Sequence, residues 1–97
     1  MTSTGSGALT GNTVPRRKLE ARMRKYRGVL VVANAEEAME LDEVAEFIFK
    51  KIDGERSLAG IAGILSDTYD IETDEALADI IGMVGEFVEF GVVEADA

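Results

Sequence analysis

Hydrophobic positions along this chain of 97 residues change their spacing part-way through. Over residues 18–26 they alternate, with Leu19, Ala21 and Met23 on one side and Glu20, Arg22 and Arg24 on the other. A period of two predicts a half-buried strand, although Lys, Leu, Glu, Ala, Arg and Met also suit a helix. Arg27-Gly28 supplies a turn signal. Val29-Leu30-Val31-Val32 is continuous and β-branched, as expected of a strand covered on both faces. Asn34-Ala35-Glu36-Glu37 reads as a second turn, and Ala38-Met39-Glu40-Leu41 as a short alternating strand. Together these predict a three-stranded antiparallel meander.

From there the spacing becomes helical. Asp42 is placed to cap a helix running to about Ile52, with Val44, Ala45, Phe47, Ile48 and Ile52 at helical intervals, and Asp53-Gly54 ends it. Ser57 caps a second helix striped by Leu58, Ile61, Ala62, Leu65 and Tyr69. Thr73 is read as the cap of a third, with Asp74 and Glu75 where negative charge suits the helix dipole. Its stripe is Leu77, Ile80, Ile81, Val84 and Val88, and Gly91 closes it before a short extended Val92-Val93. Three strands followed by three helices make an α+β fold, in outline a winged helix-turn-helix. Residues 1–14, rich in Gly, Ser and Thr, read as a flexible tail, and residues 15–97 as one domain.

Composition narrows the chemistry. The chain has no Cys, His or Trp, which removes disulfides, Cys/His zinc sites and any imidazole or thiolate catalysis. Carboxylates are the remaining acid/base groups, and they sit where caps and solvated helix faces are expected. Asp70-Ile71-Glu72-Thr73-Asp74 lacks the Gly and closing Glu of a calcium loop, and no Gly-rich phosphate loop follows a strand. The expectation is a non-enzyme without metal or cofactor. No apolar run is long enough to cross a bilayer, and the N-terminus lacks signal-peptide character, so a cytoplasmic, non-membrane protein is expected.

Charge then separates the binding classes. The net charge of -9 hides a split: residues 1–33 carry seven cations and one acid, while residues 34–97 carry three cations and eighteen acids. A DNA-reading helix needs Lys or Arg for phosphates, and neither 57–69 nor 74–90 contains one, so no nucleic-acid partner is expected. Peptide binding fits better. The cationic first strand guards its edge against pairing, whereas Ala38–Leu41 has neither Lys nor Pro and leaves backbone groups free for strand addition. The third helix is apolar around much of its girth, with Met83, Phe87 and Phe90 outside its main stripe. Such a helix suits a peptide groove, a core or a dimer contact. Gly82 and Gly85 admit either a docked strand or a close helix crossing. A dimerisation module and a degenerate winged-helix regulator stand as alternative functions.

The run Leu41-Asp42-Glu43-Val44-Ala45-Glu46-Phe47-Ile48, then Ile52-Asp53-Gly54-Glu55-Arg56-Ser57, resembles the PqqD-like family. Leu58-x-x-Ile61-Ala62-x-x-Leu65-x-x-x-Tyr69 and Phe90-Gly91-Val92-Val93 continue the resemblance, which covers residues 15–94. It implies a non-catalytic peptide chaperone. Such a protein binds the leader of a ribosomally made precursor peptide and presents it to a modifying enzyme, often a radical-SAM enzyme. The leader would add to the strand Ala38, Met39, Glu40 and Leu41 and pack against the third helix at Leu77, Ile81, Val84 and Val88. The cationic strand, with Arg22, Arg24 and Arg27, would face acidic leader residues or the enzyme. A monomer or weak dimer is expected.

Overall fold

The computed structural model describes residues 9–96. Its elements run β1 (Val14–Arg17), β2 (Arg22–Tyr26), β3 (Val29–Ala33), β4 (Ala38–Leu41), α1 (Glu43–Lys51), α2 (Leu58–Tyr69), α3 (Thr73–Phe90) and β5 (Val93–Asp96). The expected meander is present as a sheet of order β2-β3-β4, and the three helices follow it. A second sheet pairs β1 with β5, antiparallel, from Val14 opposite Asp96 to Arg17 opposite Val93. It joins the two ends of the described chain.

Local chemistry explains the boundaries. Arg27 and Gly28 both have positive φ (54° and 81°), the type I′ geometry whose twist suits a two-residue hairpin. The Asn34 side chain holds the next turn by accepting from the amides of Glu36 and Glu37, each at 2.7 Å. Asp42 caps α1 by accepting from the Ala45 amide, and Ser57 caps α2 by accepting from that of Gly60. Gly91 closes α3 at φ 90°, in the left-handed region where glycine carries no steric penalty. The α3 cap falls one residue earlier than expected: Glu72 occupies it without a side-chain bond. Thr73 is instead the first helical residue, its hydroxyl 3.4 Å from that of Ser66.

Three expectations need correction. The strand predicted over 18–26 begins only at Arg22. The Lys18 amide donates to the Val92 carbonyl, so the chain must turn at 18–21 to pass from one sheet to the other, leaving Leu19 fully exposed. Nor is the Val29–Val32 strand covered on both faces. Leu30 and Val32 are buried, but Val29 and Val31 lie on the opposite, solvent-facing side. Finally, part of the predicted tail is ordered. Residues 1–8 lie outside the described residues, but Leu9 and Thr13 are buried. The carbonyls of Thr13 and Gly11 accept from the amides of Leu58 and Ala59, satisfying donors that the start of α2 leaves unpaired.

One core underlies both sheets. It takes Leu30, Val32 and Leu41 from the strands, Ile48, Phe49 and Ile52 from around α1, Ile61 and Leu65 from α2, and Ile80, Val84 and Phe87 from α3. Phe49 and Phe87 meet edge to face at its centre, ring centroids 5.2 Å apart.

Candidate functional site

The three-stranded sheet has two edges, and β4 is one of them. Its register sets Ala38 opposite Ala33, Met39 opposite Val32, Glu40 opposite Val31 and Leu41 opposite Leu30. The Asn34 amide donates to the Glu37 carbonyl at 3.0 Å, which fixes that pair as a hydrogen-bonded one. Antiparallel pairs alternate, so the backbone groups of Met39 and Leu41 turn toward β3. Those of Ala38 and Glu40 turn outward, two donors and two acceptors on an open edge.

Helix α3 comes close to the residues that flank this edge at both ends. At one end, the Asn34 side-chain amide donates to the Phe90 carbonyl at 2.7 Å, tying the turn before β4 to the last residue of α3. At the other end, Asp42, Val44 and Ile48 face Ala78, Asp79, Gly82, Met83 and Glu86 across a cleft. The floor is apolar. Ile48 is buried, Met83 is half-buried against the core, and Val44 is exposed. Gly82 leaves a notch in this floor, because a Cβ built there meets no atom within 4 Å. A close helix crossing therefore does not account for Gly82. An alanine there should raise stability by up to about 1 kcal/mol, the helix-propensity difference, read as a higher denaturation midpoint.

The sequence-predicted residues divide between places. Ala38–Leu41 form the open edge. Leu77, Ile81 and Val88 are half-buried on another flank of α3, and Leu77 approaches Gly11. At about 100° per residue they lie nearly opposite Asp79, Gly82 and Glu86. Val84 is wholly buried in the core. The structure thus brings a different face of α3 to the cleft. Gly82 and Met83 stand out in the sequence, whereas Asp79 and Glu86 carry no signal because that face is the more polar one. The stronger of the two signals is Gly82, a helix-weakening residue in an otherwise regular stripe.

Arg22 and Arg24 lie on the outer face of the sheet, with Val31, Ala33 and Ala38. Arg27 rests over the Tyr26 ring, 5.5 Å from its centroid. None of the three takes part in an ion pair among the described residues. Lys25 points the other way and bridges Glu46 at 2.8 Å, as Lys50 does at 3.0 Å. Hydrogen bonds from these two ammonium groups hold the Glu46 carboxyl below its ordinary pKa. A lowered carboxylate pKa adds stability above its unfolded value, and this is lost as pH falls through the folded one. Glu46→Gln should therefore flatten the loss of stability below about pH 4.5, as read by thermal unfolding across an acid series.

Other carboxylates serve the fold. Asp53 accepts from the amides of Glu55 and Arg56 and pairs with the Arg56 guanidinium, and these contacts lower its pKa. Among the described residues, no three potential ligands cluster to hold a metal ion, and no helix is long and apolar enough to cross a membrane.

Comparison with known proteins follows this geometry. Residues 27–93 match the family model for coenzyme PQQ synthesis protein D, PqqD. The bifunctional coenzyme PQQ synthesis protein C/D of Methylorubrum extorquens is 33% identical over 89 residues, which are 90% of this chain but 24% of that protein. The chain thus spans about a quarter of that longer relative. A Rhizobium meliloti protein named PqqA binding protein is 30% identical over 80 residues, 80% of this chain and 82% of that one. The solution structure of the PqqD part of Methylobacterium extorquens PqqCD, described as a functional, stand-alone recognition element for ribosomally synthesised and modified peptides, superposes with a TM-score of 0.79. It is 31% identical, over 94% of this chain and 99% of that one. Lasso peptide synthetase B1, solved with a leader peptide, shares the fold at a TM-score of 0.75 and 23% identity, over 84% and 98% of the two chains. With residues 27–93 matched and a stand-alone relative covered over most of its length, the chain belongs to the PqqD family.

Proposed function

We propose that this protein is a non-catalytic peptide-recognition module. It takes the leader segment of a ribosomally synthesised precursor peptide as a fourth strand on β4 and presents the remainder to a modifying enzyme. The observation that carries this reading is the open edge at Ala38 and Glu40, which leads into a cleft between α1 and α3 where Gly82 meets open space. Strand addition draws affinity from main-chain bonds and selectivity from alternate side chains, and this site offers both. The name of the Rhizobium meliloti relative and the description of the Methylobacterium extorquens structure support a peptide ligand. The C/D relative supports a direct enzyme partner, and the family resemblance makes a radical-SAM enzyme our choice. Calorimetry with a precursor peptide, sought among the genes that flank this one, tests the proposal. Its leader half should bind one to one and its core half should not. Binding by the core half alone, or by neither half, contradicts it.

The basic face takes a separate role in this scheme. Arg22 and Arg24 stand on β2, two strands or about 9–10 Å from β4, so they suit the enzyme better than the leader. Reversing both (Arg22→Glu with Arg24→Glu) should weaken enzyme binding about tenfold or more, since like charges then meet across the contact. Leader affinity should change less than threefold. Equal losses for both partners would place the leader on this face instead.

A further inference from the structure

The cleft between α1 and α3, next to the end of β4, has a one-sided charge. Its lining carries Asp42, Asp79 and Glu86, the adjoining surface of α3 adds Glu89, and neither contains a Lys or Arg. Among the described residues, no Lys or Arg lines the cleft, and most cations are engaged elsewhere. Lys25 and Lys50 are engaged by Glu46, Lys51 lies over the Phe47 ring, and Arg56 pairs with Asp53. Lys50 and Lys51 sit at the far end of α1, about 12 Å along the axis from Asp42. The arginines of β2 occupy the outer sheet face at the opposite edge. Asp42 already caps α1, but Asp79 and Glu86 are open to whatever enters, around a floor of Val44, Ile48, Gly82 and Met83.

We infer that the peptide entering this groove is cationic. The inference rests on the strand-addition reading and specifies its ligand. An extended segment on β4 would turn alternate side chains toward α3, about 6.8 Å apart. A small or medium apolar residue seats over the notch at Gly82. Lys or Arg on either side extends apolar stems along Met83 and Val44 and sets its charge against Asp79 and Glu86. These two acids are seven residues apart on α3, on one face and about 10.5 Å along the axis, a spacing that long side chains two or four positions apart can bracket. An acidic segment in the same place meets like charge at Asp79, Glu86 and Glu89.

Selection from a displayed library of random twelve-residue peptides tests this. The full chain is the target, and the Gly82→Trp chain, whose indole fills the open notch, removes binders that dock elsewhere. A matching unfolding midpoint shows that the variant is folded, and Gly82→Leu is the second blocking variant. Peptides lost on blocking should carry net positive charge, with Lys or Arg at alternate positions. Asp79→Asn with Glu86→Gln should weaken a synthetic copy about five- to tenfold, as expected for two exposed ion pairs, and added salt should reproduce much of that loss. Neutral or acidic peptides sensitive to the block, or affinity indifferent to the two amide substitutions, would overturn the inference while leaving the groove in place. If no selected peptide responds to the block, the groove reading itself fails.

Discussion

Proline in place of Glu40 should weaken leader binding ten- to a hundredfold while the protein stays folded. The register turns the Glu40 amide away from β3, so proline removes a donor that the isolated protein does not use. Edge strands tolerate proline for this reason. A docking strand, by contrast, would lose one hydrogen bond and bury a carbonyl without a partner, at a cost of about 1–3 kcal/mol. Glu40→Ala separates side chain from backbone: it keeps the amide and should bind within a few-fold of the parent. Met39→Pro is the opposite control, because the Met39 amide serves β3, and its loss should lower stability itself. Affinity by calorimetry and folding by thermal unfolding read all three. Equal binding by Glu40→Pro and its parent would remove strand addition from the account.

The second large effect is on stability. Phe87 is wholly buried and meets Phe49 edge to face, where α3 packs on the end of α1. The Phe87 backbone carbonyl, which accepts from the amides of Gly91 and Val92, is kept when the side chain is changed, so the effect is one of packing. Phe87→Ala should cost about 3–5 kcal/mol through lost burial and the cavity left behind. A domain of this size has only about 5–15 kcal/mol in total, so a large fraction would be unfolded on mild heating. Chemical denaturation measures this, with an unchanged slope against denaturant expected if only stability has moved. Phe90→Ala, at a half-buried position three residues on, should cost markedly less.

The order of elements was legible because local chemistry announced it. Asp42 and Ser57 are caps, Arg27-Gly28 is a turn, and Gly91 is a left-handed stop, each readable from residue type alone. What stayed hidden depended on partners far away in sequence. The pairing of β1 with β5 joins residues 14–17 to 93–96, and no local pattern encodes that match. The same closure explains why residues 18–21 turn despite their strand-like alternation. Gly11 and Thr13 looked like tail because they contribute backbone carbonyls to α2, and a carbonyl leaves no trace in residue type.

The candidate site divided in the same way. The edge at Ala38–Leu41 could be read from the sequence, since the absence of Lys and Pro is a local property. The facing side of α3 could not. Periodicity selects the most apolar stripe, and a folded chain buries that stripe first, which is where Val84 went. The stripe left for a partner is the more polar one. Among its residues Asp79 and Glu86 look like ordinary solvated acids until the fold sets them across a cleft from Asp42 and Val44, just past the open strand.

Strand addition itself is tested most directly by the amide signals of Ala38 and Glu40. In isotope-labelled protein titrated with the leader half of the precursor that binds in calorimetry, both amides should move downfield as they acquire carbonyl partners. Their hydrogen exchange should slow, while the amides of Met39 and Leu41, already bonded to β3, change little. Saturable binding with the Ala38 and Glu40 amides unshifted and still fast to exchange would contradict the account.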